Sequence, residues 1–214
     1  MAGSEREAPD GRRGDGAHDT ATPRSGDRRA DLLAAAARRF VAVGLRKTTM
    51  EDIAREARAG KATLYRHFAN KDAVIDALLV REAARLERIL TAATDEHDGA
   101  AERIEAAFLR GVAFFVEHPV LTKGRDEEPG ILLPRITADG GPLVRLTLEL
   151  FTELIAEGVE RGELRTVDPR EAAEVIVRLI LSYFSFPPMY VRVDDPDAAA
   201  DFAHHLVAGG LVAR

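Results

Sequence analysis

A three-residue turn between two short helical patterns constrains the fold of this chain more than any other feature. The first pattern, MEDIAREA, follows Thr49, and the second, KATLYRHF, begins at Lys61 directly after Arg58-Ala59-Gly60. Thr49 is a good N-cap residue, and Asp52 stands at the third helical position, which together indicate a helix start. Two short helices joined by so short a turn are typical of a helix-turn-helix motif.

The second of these patterns combines two apolar residues with faces that carry no acid. Leu64 and Phe68 are four residues apart, so they stack on one side of a helix and can be buried. The other faces present hydrogen-bonding or cationic side chains: Thr63, Tyr65, Arg66 and His67. Because a solvated helix normally mixes both signs of charge, this arrangement indicates contact with an anion.

Helical signals continue along the rest of the chain. The apolar stripe of residues 27–44 ends at Gly44, and Asn70 caps a long pattern that continues to Thr94. Asp168-Pro169 and Asp195-Pro196 each place a capping residue before a proline at the first helical position. No segment alternates as a strand between hairpin turns. The sequence therefore predicts an all-α fold.

The charge of the chain is unevenly distributed. The net charge is −6, yet residues 24–71 contain twelve Lys and Arg against five Asp and Glu. The acidic excess therefore lies mainly in the residues that follow. A basic segment joined to an acidic body indicates two tasks in one chain, one of them the binding of nucleic acid.

The segment TTMEDIAREARAGKATLYRHFANKDAV resembles the N-terminal DNA-binding domain of TetR-family transcriptional regulators. Its TLYRHF core, followed by a polar capping residue and a lysine, is highly specific, and the likeness is close from about Arg28 to Leu79. The resemblance implies a homodimer with a three-helix DNA-binding head and a larger C-terminal domain that binds a small effector and dimerises. Most such proteins are repressors that their ligand releases from DNA. We therefore expect a disordered arm at 1–24, a helix-turn-helix domain at 25–72, and an effector-binding and dimerisation domain at 73–214.

The turn departs from the family pattern. The family usually has glycine, an apolar residue and then serine or threonine, where this chain has Arg58, Ala59 and Gly60. Such a turn commonly needs one residue with positive φ, which glycine adopts at little cost. Either Gly60 has taken over that conformation or Arg58 tolerates it, and we favour a left-handed Arg58.

The resemblance assigns DNA contacts residue by residue. Lys61, Thr63 and Arg66 match positions that reach base edges, whereas Tyr65 and His67 match positions that usually contact phosphate. Thr49 and Lys71 begin neighbouring helices, where backbone N–H groups favour a phosphate. Two alternatives are open: Tyr65 could be mainly a core residue with its hydroxyl at the rim, and Arg66 could simply be solvated.

The C-terminal region offers apolar surface for an effector. Residues 119–142 contain four prolines, so we expect an irregular connection with at most a short helix around Ile131. Aromatic and aliphatic residues on three later helices are candidate pocket residues, with core packing as the alternative for each: Phe114, Phe115, Phe151, Leu154, Ile155, Tyr183 and Phe186. The last two helices, about 169–186 and 196–212, would pair with their copies in the dimer, with five candidate contacts: Leu179, Ile180, Phe202, Leu206 and Leu211.

Several other classes of protein fit the sequence poorly. The chain has no cysteine, no G-x-S-x-G, no H-E-x-x-H and no Gly-rich phosphate loop, so we expect neither an enzyme nor a cofactor. Asp201 and His205 could share a metal at helical spacing, but a solvated or dimer-facing pair is the better interpretation. No apolar run approaches the ~20 residues that span a bilayer, and we expect a cytoplasmic protein without a membrane partner.

These observations favour a repressor that binds a near-palindromic DNA operator as a homodimer and responds to a small apolar or amphipathic effector. An activator or global regulator without an effector is the first alternative. The second alternative, from another class, is an enzyme or ligand-binding protein whose basic head is incidental.

Overall fold

Ten α-helices make up the described part of the computed structural model, which covers residues 25–138, 140–186, 189–190 and 195–211. The helices are α1 Ser25–Val43, α2 Met50–Glu56, α3 Lys61–His67, α4 Lys71–Thr94, α5 Ala100–Glu117, α6 Pro119–Glu127, α7 Pro129–Thr137, α8 Pro142–Glu160, α9 Pro169–Ser185 and α10 Pro196–Gly210. These residues contain no strand element, which confirms the all-α prediction. The arm expected at 1–24 lies outside the described residues.

Local capping sets the boundaries of the helices in the N-terminal head. The α1 helix ends before Gly44, whose φ of 90° is left-handed and whose N–H donates to the Phe40 carbonyl at 2.9 Å. Thr49 and Asp52 form the expected capping box at the start of α2, and the Asn70 side chain accepts from the Ala73 N–H at the start of α4. The first four helices then enclose a common core in which each large side chain is at most 3% exposed: Leu33, Phe40, Ile53, Leu64 and Phe68.

The expectation of an irregular connection between residues 119 and 142 was wrong, although the short helix allowed around Ile131 is present as α7. This segment forms two helices, α6 and α7, and Pro119, Pro129 and Pro142 each begin a helix. The missing N–H of proline costs nothing in the first turn, where the N–H has no partner within the helix. Pro134 lies inside α7, one turn from its start, so at most one hydrogen bond of this short helix is lost.

The C-terminal helices pack around α5, which contacts α4, α8, α9 and α10. Phe115, Phe151 and Phe184 fill the centre, each at most 1% exposed, and the ring centroids of Phe115 and Phe184 are 5.6 Å apart. Gly158 lets α8 approach α5 closely, because a Cβ at this position would lie 2.7 Å from the Ala100 Cβ. In the part of the chain that the structure describes, no helix combines the length and apolar composition needed to cross a membrane.

Candidate nucleic-acid interface

The turn between α2 and α3 has the geometry of a Schellman motif with arginine at the left-handed position. Arg58 has a φ of 49°, the one positive φ of a non-glycine residue in the described chain. Its N–H donates to the Arg55 carbonyl at 3.0 Å, and the Ala59 N–H donates to the Ala54 carbonyl at 2.8 Å. These are the two bonds that define the motif, in which glycine is the usual left-handed residue. The left-handed interpretation of Arg58 is confirmed, and Gly60 is extended with a φ of −69°.

Two buried apolar side chains pack α3 against the head, and most of the remaining surface of this helix faces outward. Leu64 is fully buried and Phe68 is 3% exposed. Tyr65, by contrast, is 48% exposed and thus not a core residue. Arg66 is also exposed, and Thr63 is half-buried. Of the side chains that the sequence analysis assigned to an anion, Tyr65 and Arg66 therefore point to solvent, and Thr63 is partly accessible, in the free protein.

Lys61, the first residue of α3, is held by an acid from the neighbouring helix. Its Nζ lies 2.9 Å from Oε1 of Glu51 in the first turn of α2. The hydrogen bond from Lys61 lowers the pKa of the Glu51 carboxyl below its ordinary value. Both side chains are largely exposed, so the pair is open to exchange with another anion.

Lys71 has a structural role, in capping backbone carbonyl groups, that the sequence did not indicate. Its Nζ donates to the carbonyl oxygens of Leu45, Arg46 and Thr48, at 2.8, 2.9 and 3.0 Å. The ammonium group thus caps the loop between α1 and α2 with all three of its protons. The assignment of Lys71 to a phosphate stays a prediction, and it would rest on the backbone at the start of α4 rather than on a free ammonium group.

His67 lies at the C-terminal end of α3 and is half-buried. Its ring centroid is 6.3 Å from that of Phe68, and its Nε2 is buried with no hydrogen-bond partner in the described chain. A phosphate contact through Nε2 would therefore require the ring to turn outward. Its assignment to DNA stays a prediction. Thr49 is exposed at the start of α2, where its hydroxyl is engaged with Asp52.

Comparisons with known proteins identify this arrangement. Residues 32–78 match the family model described as bacterial regulatory proteins, tetR family. The HTH-type transcriptional regulator AlkX of Mycobacterium tuberculosis is 30% identical over 164 residues, which cover 72% of this chain and 72% of AlkX. This chain belongs to the TetR family of transcriptional regulators. As a TetR-family protein, it is a DNA-binding regulator of transcription with a helix-turn-helix head.

Solved structures extend the likeness to the C-terminal domain of the TetR-family fold. The fatty acid degradation regulator FadR from Bacillus halodurans superimposes with a TM-score of 0.68 at 21% identity, over 88% of this chain and 98% of FadR. AibR, solved with isovaleryl coenzyme A and operator DNA, gives a TM-score of 0.55 at 19% identity, over 82% of this chain and 96% of AibR. At these identities the likeness concerns the fold.

The seven residues expected to line an effector pocket are divided between core and surface. Five are at most 7% exposed: Phe114, Phe115, Phe151, Leu154 and Ile155. Tyr183 is half-buried beside Phe202, with ring centroids 6.1 Å apart, and burial raises the pKa of its hydroxyl. Phe186 is 71% exposed at the end of α9. Their role in effector binding stays a prediction.

Two of the cavities in this TetR-family domain lie beside α5, and of those core aromatic residues Phe114 lines one of the two. One of about 410 Å³ lies between the end of α4, α5 and α10, where Phe108, Leu109 and Phe202 contribute apolar surface. A second, of about 260 Å³, lies between α4, α5 and the start of α6, and Phe114 contributes to its lining. Sequence periodicity could not locate them, because they depend on how three helices pack.

The corner between α6 and α7 holds the DNA-binding head directly. The Glu128 carboxylate accepts from the Leu45 N–H at 2.6 Å and from the Arg46 N–H at 2.8 Å. On α7, Arg135 forms ion pairs with Asp72 and Asp76 of α4 at 2.6 and 3.1 Å. Sequence analysis missed these residues because it treated the segment as irregular.

A buried polar pair joins α4 to the start of α6. His118 caps α6 by accepting from the Leu121 N–H at its Nδ1, so its hydrogen lies on Nε2, which donates to Oε2 of Glu82 at 3.0 Å. Arg81 also donates to Glu82, at 2.6 Å. Burial alone raises the pKa of Glu82, but the hydrogen bonds from His118 and Arg81 outweigh it and lower that pKa to about 2.

The face expected to dimerise carries an apolar groove between α9 and α10. Val175 is 57% exposed there, and Leu179 and Leu206 are half-buried beside it. Ile180 is fully buried within the chain, so it cannot present its side chain to a second copy. Phe202 packs against Phe108 of α5, with ring centroids 6.2 Å apart, and the end of the groove is lined by Leu211.

The histidines of α10 are engaged with neighbouring groups. The Nδ1 of His205 lies 2.7 Å from the backbone carbonyl of Asp201, and that of His204 lies 3.1 Å from the Glu105 carboxylate. Among the described residues, no group of three or more metal-ligating side chains is arranged around a common point.

Proposed function

We propose that this protein is a repressor that binds a near-palindromic operator as a homodimer and leaves it when a small effector binds. The observation that carries the DNA-binding part is the outward face of α3, with Thr63, Tyr65 and Arg66 accessible while Leu64 and Phe68 fix the helix. Helix-turn-helix proteins place such a helix in the major groove, where side chains reach base edges. Lys61 and Arg66 supply the cationic groups, with Tyr65, His67, Thr49 and Lys71 assigned to the phosphate backbone.

Dimerisation would use the apolar groove of α9 and α10. Val175 is more than half exposed in a single chain, which is unfavourable in water, and a second copy packed on this face would cover it. A two-fold symmetric dimer presents its recognition helices to two half-sites about 34–36 Å apart. The operator should therefore contain two inverted half-sites one helical turn apart. The protein would act on DNA in the cytoplasm.

The effector would be a small apolar or amphipathic molecule. The cavity between α4, α5 and α10 is large enough for such a ligand, at about 410 Å³, and mainly apolar residues surround it. The names of similar proteins concern acyl and alkyl compounds: FadR regulates fatty acid degradation, and AibR was solved with isovaleryl coenzyme A. The core aromatic residues predicted from sequence would then pack next to the cavity. Tyr183 would be the one among them with a polar group.

Footprinting on the DNA upstream of the gene tests the proposal. The wild-type protein should protect a site with two inverted half-sites and bind it far more tightly than unrelated DNA of equal length. Replacing Thr63 and Arg66 together by Ala should abolish the preference. Arg145→Ala is the matched control, because Arg145 is an exposed arginine of α8, a helix that contributes no residue to the lining of the groove between α9 and α10. An unchanged footprint in the Thr63/Arg66 variant, or equal affinity for unrelated DNA, would overturn the proposal.

A further inference from the structure

We propose that the groove between α4 and α5 binds an acyl chain with one negative charge at its end, and that Arg85 and Arg110 hold that charged group. This inference deepens the proposed function by naming the chemical class of the effector and the end of the groove that recognises its charge. The claim that this ligand releases the protein from DNA rests on the proposed function, whereas the claim that the ligand binds in the groove does not.

The two cavities beside α5 adjoin, and we take them together as one groove. Arg110, Ala113 and Glu117 line both of them, and these residues follow one face of α5. On α4 the lining residues also share a face, at Arg85, Ile89 and Ala93. The helix rises by about 12 Å over the eight steps from Arg85 to Ala93, which is the length of an extended chain of roughly ten carbons.

One end of the groove is mainly apolar. Phe108, Leu109, Val112 and Phe202 line the larger cavity, of about 410 Å³, together with small residues that leave room for a chain. Glu96 lies at this end as well, beside His97, and its carboxylate disfavours a second anionic group there. An alkyl chain fits this end, and a dianion with charges at both ends does not.

The other end is cationic. Arg85 and Arg110 line the smaller cavity with Glu117 as the acidic side chain beside them, which leaves one positive charge in excess. A single carboxylate on a ligand would neutralise that excess. Guanidinium groups suit this task because they donate two parallel hydrogen bonds to a carboxylate.

Arg85 is free to turn toward a ligand. Its Nη1 is 3.6 Å from Oε2 of Glu82, beyond ordinary hydrogen-bond distance, and its side chain is 55% exposed. Glu82 does not depend on it, because Arg81 and His118 already donate to that carboxylate at 2.6 and 3.0 Å. A ligand carboxylate can therefore take Arg85 without leaving a buried charge unpaired.

The position of the charged group also explains how binding could reach DNA. His118 lines the cationic end and caps α6, while α4 carries the head. A chain wedged between α4 and α5 beside His118 acts on both α4 and α6. The far end of α6 is followed by Glu128, which holds the loop between α1 and α2 of the head.

Calorimetric titration of the free full-length protein with octanoate and with octan-1-ol tests the inference. The two probes share a chain length and differ in charge. Wild type should bind octanoate at least tenfold more tightly than the alcohol. Arg85→Gln and Arg110→Gln should each weaken octanoate at least tenfold and leave the alcohol unchanged. Ala113→Trp should abolish binding of both probes by filling the shared part of the groove, and Arg145→Gln, at an exposed arginine of α8, should change neither.

Equal affinity for the two probes, or unchanged octanoate affinity in both arginine variants, would overturn the inference. The outcome is distinguishable from failure of the proposed function because this titration uses no DNA. A gel shift with octanoate provides the other arm. If wild type and the two arginine variants leave the operator at the same octanoate concentration, the groove is not the effector site, and the proposal of a ligand-responsive repressor stands. If octanoate binds in the groove but does not release the protein from DNA, the binding site stands and the effector part of the proposed function is overturned.

Discussion

Arg58 and Gly162 occupy the same position in two copies of one motif. Gly162 follows α8 with a φ of 73°, and its N–H donates to the Val159 carbonyl at 3.1 Å, as the Arg58 N–H does to Arg55 after α2. The backbone geometry is therefore shared, while only one of the two residues has a Cβ. A left-handed L-residue costs roughly 1–2 kcal/mol, which glycine avoids at the expense of greater freedom in the unfolded chain.

Replacing Arg58 by Gly should therefore raise the free energy of unfolding by up to ~1 kcal/mol. Urea denaturation followed by circular dichroism measures this value. The matched control is Gly162→Ala, which should lower it by about 1 kcal/mol, because the added Cβ meets no neighbour and adds only backbone strain. A less stable Arg58→Gly variant would mean that the arginine side chain stabilises the turn by more than its strain.

A second prediction at the scale of the residue concerns the ion pair of Lys61 with Glu51. Glu51→Gln removes the acid that holds the Lys61 ammonium and takes a negative charge away from the DNA face. Affinity for all DNA sequences should rise, since a positive charge is freed to meet a phosphate or base. Lys61→Ala should instead relax preference at one or two operator positions, at a cost of ~1–3 kcal/mol for the cognate base.

Binding-site selection from a random library, together with affinities across salt concentrations, separates these effects. Tyr65→Phe is the control for a contact to the phosphate backbone. Loss of one hydroxyl should lower the affinity for all DNA sequences about equally. A changed consensus in the Tyr65 variant would contradict its assignment to the phosphate backbone. Lower affinity in Glu51→Gln would contradict the restraint of Lys61 by this acid.

At the scale of the helix, the joint between α4 and α6 depends on one buried carboxylate. Glu82 is 2% exposed, and its pKa is about 2, against an ordinary value of 4.5. A lowered pKa in the folded state means that the ionised form stabilises the fold. This stabilisation is complete above about pH 4.5 and is lost as the pH falls toward 2. The shift corresponds to roughly 3 kcal/mol.

Glu82→Gln should therefore lower the free energy of unfolding at pH 7, and the difference from wild type should shrink as the pH falls below about 4.5. Urea denaturation at several pH values between 7 and 3 measures this change. Glu87→Gln is the control, because Glu87 is an exposed acid on the same helix and should change stability little. A Glu82 variant whose deficit stayed constant with pH would contradict the linkage.

At the scale of the whole molecule, Glu128 joins the C-terminal domain to the head. Its carboxylate accepts from two successive backbone N–H groups, Leu45 and Arg46, which lie in the loop that Lys71 caps from the other side. Charge-assisted hydrogen bonds of this kind are among the stronger ones in proteins. The position of the head therefore depends on the end of α6.

Glu128→Ala should accelerate amide hydrogen exchange at Leu45 and Arg46 and lower the free energy of unfolding by ~1–3 kcal/mol, because the part-buried Leu45 N–H and the exposed Arg46 N–H both lose a charged acceptor. Exchange followed by NMR spectroscopy resolves the two amides. The neighbouring Glu127 pairs with Lys123 on the surface, so Glu127→Ala should leave both amides protected. Equal exchange rates in the Glu128 variant and wild type would show that the carboxylate does not hold the loop.

Sequence alone determined the features that depend on near neighbours along the chain. The caps at Thr49, Asn70 and Asp168 and the helix stop at Gly44 follow from side chains and backbones a few residues apart, so they could be predicted correctly. The buried pair of Leu64 and Phe68 follows in the same way from helical spacing. Together with the TLYRHF resemblance, these local signals were sufficient to indicate the family.

Tertiary structure alone decided the features that join distant parts of the chain. Glu128 and Leu45 are 83 residues apart in sequence, and Lys71 and Leu45 are 26 apart. No pattern within a helix encodes such contacts, because they arise only when apolar faces pack and bring polar groups together. The groove beside α5 arises in the same way, since its shape is what remains between α4, α5 and α10 after their apolar faces have packed.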